Sequence, residues 1–285
     1  ISKAGRGVIL TMGKGGVGKT ILASSIAVEL AARGYRVHLT TTDPAAHIDS
    51  SLTTQVAGLK ISRIDPVAET RSYREEVLAR VEQNLDAQGR KLLEEDLNSP
   101  CTEEIAVFRA FARVVSEGKD GFVVLDTAPT GHTLLLLDAT EAYHRQISKT
   151  LSDLPDSVRE LLPCLRDPDY SKILIVTLPE ATPVHEAAQL QADLVKAGIK
   201  PFAWVINQSL IPLELKNPVL LSRREREFVY LEEVKEKHAS RLALIPWMLE
   251  EPVGPQCLRK VIHGGTWTNN YNEQAKREIK TEDAS

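Results

Sequence analysis

The residues best equipped to do chemistry lie in one short run, Gly13-Lys14-Gly15-Gly16-Val17-Gly18-Lys19-Thr20, followed by Ile21 and an apolar stretch. Their spacing matches GxxxxGK[ST], the phosphate-binding loop. Glycines let successive backbone N–H groups turn inward as an anion nest, and a helix starting at the loop's end points its positive pole at the same spot. Lys19 would then reach the β- and γ-phosphates of a nucleotide, while the Thr20 hydroxyl ligates Mg²⁺. Lys14, directly after the first glycine, is on local grounds either part of this site or a solvated side chain. Two carboxylates fall at the ends of apolar runs. Asp43, within Thr40-Thr41-Thr42-Asp43-Pro44-Ala45-Ala46-His47, can act on water or on the Mg²⁺ water shell, or can form a plain Asx turn before proline. Asp126 closes another run and fits the carboxylate that holds Mg²⁺ through the metal's waters.

Such residues need a scaffold that brings strand ends together. Short runs rich in Val, Ile and Leu cover 7–12, 36–41, 121–126, 172–177, 202–207 and 241–246. Their hydrophobicity is continuous rather than alternating, as strands buried on both faces require. Helical patterns lie between them at 20–32 (read as amphipathic), 71–85, 100–117, 183–197 and 223–237. The pattern predicts a doubly wound α/β domain with a mainly parallel sheet and a nucleotide at the carboxyl ends of its strands. No composition shift splits the chain, so 1–265 is read as one P-loop domain, with a helical insert at about 69–117. Residues 266–285 are polar and rich in Lys and Glu, and are expected to be a flexible tail or an appended remnant. The chain opens Ile1-Ser2-Lys3 without methionine, which suggests a piece of a longer polypeptide.

Bulk properties narrow the options. In 285 residues, hydrophobic content is 42% and charged content 26%, ordinary values for a globular protein. A net charge of −4 supplies no bulk electrostatic reason to bind nucleic acid or membrane. No run reaches the roughly 18 apolar residues of a membrane span, and no charged-then-apolar leader is present, so a cytoplasmic location is expected. The three cysteines, Cys101, Cys164 and Cys257, are widely spaced and form no CxxC pair.

The run Lys14-Gly15-Gly16-Val17-Gly18-Lys19-Thr20 resembles the deviant Walker A family of P-loop ATPases, which includes nitrogenase iron protein, the septum-site and partition ATPases and the arsenite pump ATPases. That resemblance implies that Lys14 reaches the nucleotide of a facing, homologous domain, and that Asp43 orients the attacking water. The run Asp126-Thr127-Ala128-Pro129-Thr130-Gly131-His132-Thr133 narrows it further. It is similar to the signature of the arsenite-stimulated ATPase family and of its eukaryotic relative, the tail-anchored-protein targeting ATPase. The resemblance extends from about Gly7 to about Gly254. By the same resemblance Asn207, in Ile206-Asn207-Gln208, and Pro246, with the loop 251–254, form the walls of a base pocket. A strand-ending Asn and a plain Pro-Gly loop remain open alternatives.

Two branches share the switch signature. The targeting branch implies a methionine-rich groove and a CxxC pair, whereas this chain has two methionines and no CxxC. The pump branch implies soft ligands for trivalent arsenic or antimony. Cys101 follows Ser99, a good N-cap, and Pro100, a good first helical residue, so it falls in a first helical turn, where the dipole favours thiolate. The resemblance matches Cys101 to a metalloid-ligand cysteine, with Ser99 and His132 as weaker neighbours; a helix-start core cysteine is the alternative. One thiolate makes a poor site, so the remaining ligands would come from the facing domain. Implied partners are that domain, an integral membrane arsenite transporter that tethers the ATPase to the inner membrane face, and a metalloid-delivering chaperone. Cys164 reads as core filling, Cys257 has no assigned role, and the other histidines and Arg223-Arg224 read as solvated surface.

Overall fold

The computed structural model describes residues 5–42, 55–81, 87–127, 155–264 and 266–267. Among these, eight strands make one sheet: β1 (Gly7–Met12), β2 (Val37–Thr41), β3 (Leu59–Arg63), β4 (Phe122–Asp126), β5 (Ser171–Thr177), β6 (Ala203–Ser209), β7 (Leu242–Pro246) and the short β8 (Thr266–Trp267). Their order is β3-β2-β4-β1-β5-β6-β7-β8, parallel throughout except for β8 against β7. Winding reverses at β1, which lies between β4 and β5. The expected doubly wound α/β fold is present, with its switch point at the end of β1.

Strands β1, β2 and β4 are buried at every residue, because both faces of the sheet are covered. Neighbouring residues on β1 point to opposite layers. Leu10 joins Leu125, Ile173 and Phe111 in one cluster, whereas Ile9 joins Val124, Leu174 and Ile26 in the other. The helices that supply these layers are α1 (Lys19–Ala32), α2 (Pro66–Val81), α3 (Ala87–Leu97), α4 (Pro100–Glu117), α5 (Asp156–Arg166), α6 (Ala181–Lys196), α7 (Pro218–Glu233, continuing as a π turn through Val234–His238) and α8 (Pro255–Gly264).

Several expectations need correction. Helix α1 is not amphipathic: every residue from Leu22 to Ala31 is buried, because the sheet covers one side and α8 the other. Glu29 is tolerated there by three basic partners, Arg33 and Arg259 at 2.8 Å and His263 at 3.1 Å. Burial pushes its carboxyl up, but these partners outweigh burial and hold it at about 2. The region expected as a helical insert carries helices α2, α3 and α4. Phe108, Phe111, Val114 and Val115 of α4 belong to the main core, and α4 packs on both α2 and α5. Thr266 and Trp267, assigned to the tail by composition, pair with β7. His38 is not solvated. It is buried on β2, with Nδ1 2.7 Å from Glu117 Oε2 and Nε2 2.7 Å from Ser62 Oγ, and burial lowers its pKa. His238 stacks on Trp204 with ring centroids 5.4 Å apart. Arg223 is exposed as expected, whereas Arg224 is half-buried, with Nη1 3.5 Å from the Leu213 carbonyl oxygen.

Candidate nucleotide site

At the end of β1 the chain turns through Gly13, Gly16 and Gly18, with φ of 148°, 80° and 90°. Gly13 and Gly18 are also crowded: an added Cβ would stand 2.2 Å from the Val176 carbonyl oxygen and 2.2 Å from Asn207 Nδ2, respectively. Around Gly16 an added Cβ would meet nothing within 4 Å, so that part of the loop borders open space. An anion can approach the backbone there.

Helix α1 begins immediately after Gly18 and carries the two polar residues expected of the site. Lys19 is 6% exposed, and its ammonium donates to the Lys14 carbonyl at 2.8 Å. The Thr20 hydroxyl donates to Asp126 Oδ2 at 2.7 Å, across the switch point from α1 to β4. Asp126, 1% exposed, also receives the Thr41 hydroxyl at 3.4 Å and the Thr11 hydroxyl at 3.5 Å. The Thr42 amide donates to its carbonyl at 3.0 Å. A hydroxyl and a carboxylate facing each other are a hard-oxygen donor pair suited to Mg²⁺ and its water shell, so Thr20 and Asp126 fit that ion. Neither Thr11 nor Thr41 has a role on sequence grounds alone. The signal for Thr11 is a threonine embedded in an otherwise apolar buried strand, Gly7–Met12.

Of the two expected base-pocket residues, one meets the loop. Asn207 donates from Nδ2 to the Val17 carbonyl at 2.9 Å, so it rests on the phosphate loop itself. It does not end its strand; β6 continues to Ser209 after a register shift against β7. Pro246 ends β7 and pairs with Ser209. Ile21 is half-buried at the start of α1. Lys14 folds back on its own chain, with Nζ 2.8 Å from Glu186 Oε1 of α6. No feature of the sequence singles out Glu186.

Cys101 stands in the first turn of α4, as expected, and is exposed. Ser99 occupies the N-cap position, but its hydroxyl makes no capping bond to the helix backbone and lies 3.3 Å from Thr102 Oγ1. Among the described residues no group of three or more His, Cys, Asp or Glu side chains is placed to hold a metal ion. Asp43 and His132 lie outside the described residues. Cys164 is half-buried against the core, and burial raises its thiol pKa. Cys257 is half-buried in α8.

Comparison with known proteins bears on the same regions. The family described as "Anion-transporting ATPase" matches residues 6–162 and 138–264. The chain is 53% identical, over 92% of its length, to the "Arsenical pump-driving ATPase" of Acidiphilium multivorum and to a protein of that name from Escherichia coli. It covers 45% of each, so it spans about half the length of these relatives. The "ATPase get3" of Schizosaccharomyces japonicus is 24% identical over 88% of the chain and 90% of its own length. The match runs through the glycine loop and through Asp43, Asp126, Asn207 and Pro246, and the chain belongs to the anion-transporting ATPase family.

Proposed function

We propose that this chain is an ATP-hydrolysing domain of an arsenical pump, turning over ATP in response to arsenite or antimonite. The observation that carries this reading is the Thr20–Asp126 contact beside the buried Lys19, at the switch point of a parallel sheet. The relatives' name, pump-driving ATPase, supports extending it to metalloid.

In this reading Gly13, Lys14, Gly15, Gly16, Val17, Gly18, Lys19, Thr20 and Ile21 cradle the triphosphate of ATP, and Asn207 and Pro246 flank its base. Lys19 balances charge between the β- and γ-phosphates, a role supported by the contact that keeps its ammonium on the Lys14 carbonyl. Thr20 and Asp126 hold Mg²⁺, which when bound neutralises charge developing on the phosphates. Asp43 follows Thr42, whose amide is anchored on the Asp126 carbonyl, and is assigned the task of orienting the attacking water.

A second, homologous domain faces this one, and Lys14 reaches across to its nucleotide. Among the described residues an exposed ion pair restrains Lys14, with side chains 40% and 49% exposed, and such pairs contribute about 0–1 kcal/mol. Metalloid binds at Cys101, with Ser99, His132 and ligands from the facing domain completing the set. His132 follows Asp126 by six positions, so one segment links the Mg²⁺ carboxylate to the metalloid site and can be biased by both. Among the described residues no helix is long and apolar enough to cross a membrane. Extrusion therefore calls for an integral membrane transporter as partner. The ATPase sits on the cytoplasmic face, where a chaperone can deliver metalloid.

Steady-state ATP hydrolysis, measured with and without antimonite on a protein containing both facing domains, tests the reading. Hydrolysis that antimonite accelerates is the expected result. ATP hydrolysis indifferent to antimonite would remove the metalloid half, and no hydrolysis at all would remove the whole.

A further inference from the structure

Near the nucleotide end of β6 lies a buried carboxylate that the phosphate chemistry does not use. Glu227 of α7 is 3% exposed. No basic side chain among the described residues lies within ion-pairing distance of it. Its Oε2 accepts two hydrogen bonds, from the Ser209 hydroxyl at 2.9 Å and the Leu210 amide at 2.8 Å. The same Ser209 oxygen accepts from the Ile211 amide at 3.2 Å, and the Ser209 carbonyl accepts from the Trp247 amide at 2.9 Å. One acid thus fastens the corner where β6 leaves the sheet and ties it, through Ser209, to the chain just past β7. Burial pushes the Glu227 carboxyl up and the nearby Arg223 charge only partly offsets this, so the acid depends on the donors that meet it. Filling space alone would be better done by an apolar side chain.

What the corner displays gives the acid a purpose. Register between β6 and β7 shifts between Ile206 and Ser209, and such a bulge re-aims the side chains on it. Gln208, at the bulge, has φ 56° and is the one non-glycine residue with positive φ among the described residues. That conformation is strained for a residue with a Cβ and persists where surrounding structure imposes it. Gln208 is exposed, while Asn207 is 9% exposed against Val17 and Gly18. The Asn207 amide has no freedom to flip, since its oxygen would then face the Val17 carbonyl oxygen. With Nδ2 committed to Val17, Oδ1 is left to accept. An acceptor suits the exocyclic amino group of adenine and repels the carbonyl oxygen at the same place in guanine.

We propose that Glu227 is a positioning residue for base selection: by clamping Ser209 and Leu210 it holds Asn207 against the phosphate loop and Gln208 outward, so that the site prefers adenine to guanine. This rests on the reading of the site as a nucleotide site. Glu227 touches neither phosphate nor base in it.

The test is titration calorimetry of the chain with ATP and with GTP, for wild type, Glu227→Ala, Glu227→Gln and Ser209→Ala. Wild type should prefer ATP. Glu227→Ala should shrink that preference about tenfold, which is about 1.4 kcal/mol. Glu227→Gln, which retains an acceptor oxygen, should restore most of it. A purely structural role would lower thermal stability and weaken both nucleotides alike, leaving the ratio unmoved. If Glu227→Ala does not fold, Ser209→Ala removes one bond of the clamp and should shrink the ratio by a smaller factor. Wild type that binds ATP, together with folded variants whose ATP-to-GTP ratio is unchanged, would overturn the inference alone. Wild type that binds neither nucleotide would overturn the nucleotide-site reading and this inference with it.

Discussion

The end of β1 and the start of α4 both present a residue of the proposed function in the first turn of a helix, yet they are built differently. At the end of β1, the Thr20 hydroxyl meets Asp126 of β4, on which Thr11 of β1 and Thr41 of β2 also converge within 3.5 Å, while Lys19 donates to the Lys14 carbonyl of the loop. At the start of α4, Cys101 is exposed, and the Ser99 hydroxyl makes no capping bond to the helix backbone. The first site is largely closed by its own chain; the second offers one soft ligand and needs others. A phosphate site can be made of backbone and a few contiguous residues, because the anion is large and binds many N–H groups. A thiophilic ion needs several side chains converging from separate elements.

Lys19→Ala attacks the completed site and should have the largest effect. The ammonium is buried inside the loop, so its removal takes a fixed positive charge from the phosphate cradle and ATP affinity should fall at least about a hundredfold, about 2.7 kcal/mol. Nucleotide titration reads this directly. A variant that binds and turns over ATP as wild type does would end the phosphate-loop assignment, and the contrast with Cys101 would lose its first term.

Cys101→Ser probes the open site and should have a medium effect. It keeps the side chain's size and replaces a soft ligand by a hard one. In a protein with both facing domains, the antimonite response should drop about tenfold more than the antimonite-free rate does. Cys164→Ser and Cys257→Ser serve as controls, since both residues are half-buried on other helices, α5 and α8. Equal antimonite responses in all three variants would reduce Cys101 to an ordinary exposed thiol and sharpen the contrast into one real site and none.

How much of this is legible in the sequence follows from the same distinction. The six long parallel strands and the phosphate loop can be read, because continuous apolar runs and glycine spacing are local signals. Strand β3, with the run Leu59–Arg63, cannot: it is an edge strand whose residues are partly or largely exposed, so no continuous apolar run marks it. Helix α1 reads as amphipathic because Ser24, Ser25 and Glu29 are polar, yet all three are buried. Buried polar residues answered by distant partners, such as Glu29 by Arg259 or His38 by Glu117, leave no trace in local pattern. At the site, Asp126 and Thr20 are readable from motif, but the Lys14–Glu186 pair joins residues 172 apart and is not.

That pair is the place where the closed site turns outward, and it gives the smallest expected effect. Lys14 and Glu186 are both half-exposed, so their 2.8 Å contact is screened by water and opposed by the entropy of two long side chains. Glu186→Ala should therefore lower the stability of the chain by less than about 1 kcal/mol, a shift of a few degrees at most in a thermal melt. Releasing Lys14 should leave it free for a facing domain, so Glu186→Ala in a two-domain protein should sustain ATP hydrolysis. Lys14→Ala should reduce hydrolysis there and have a smaller effect on the same domain alone. A Lys14→Ala variant that loses activity by the same factor in both settings would make Lys14 part of its own loop's phosphate cradle. The nucleotide site would then be complete within one chain, and only the α4 start would still require a partner.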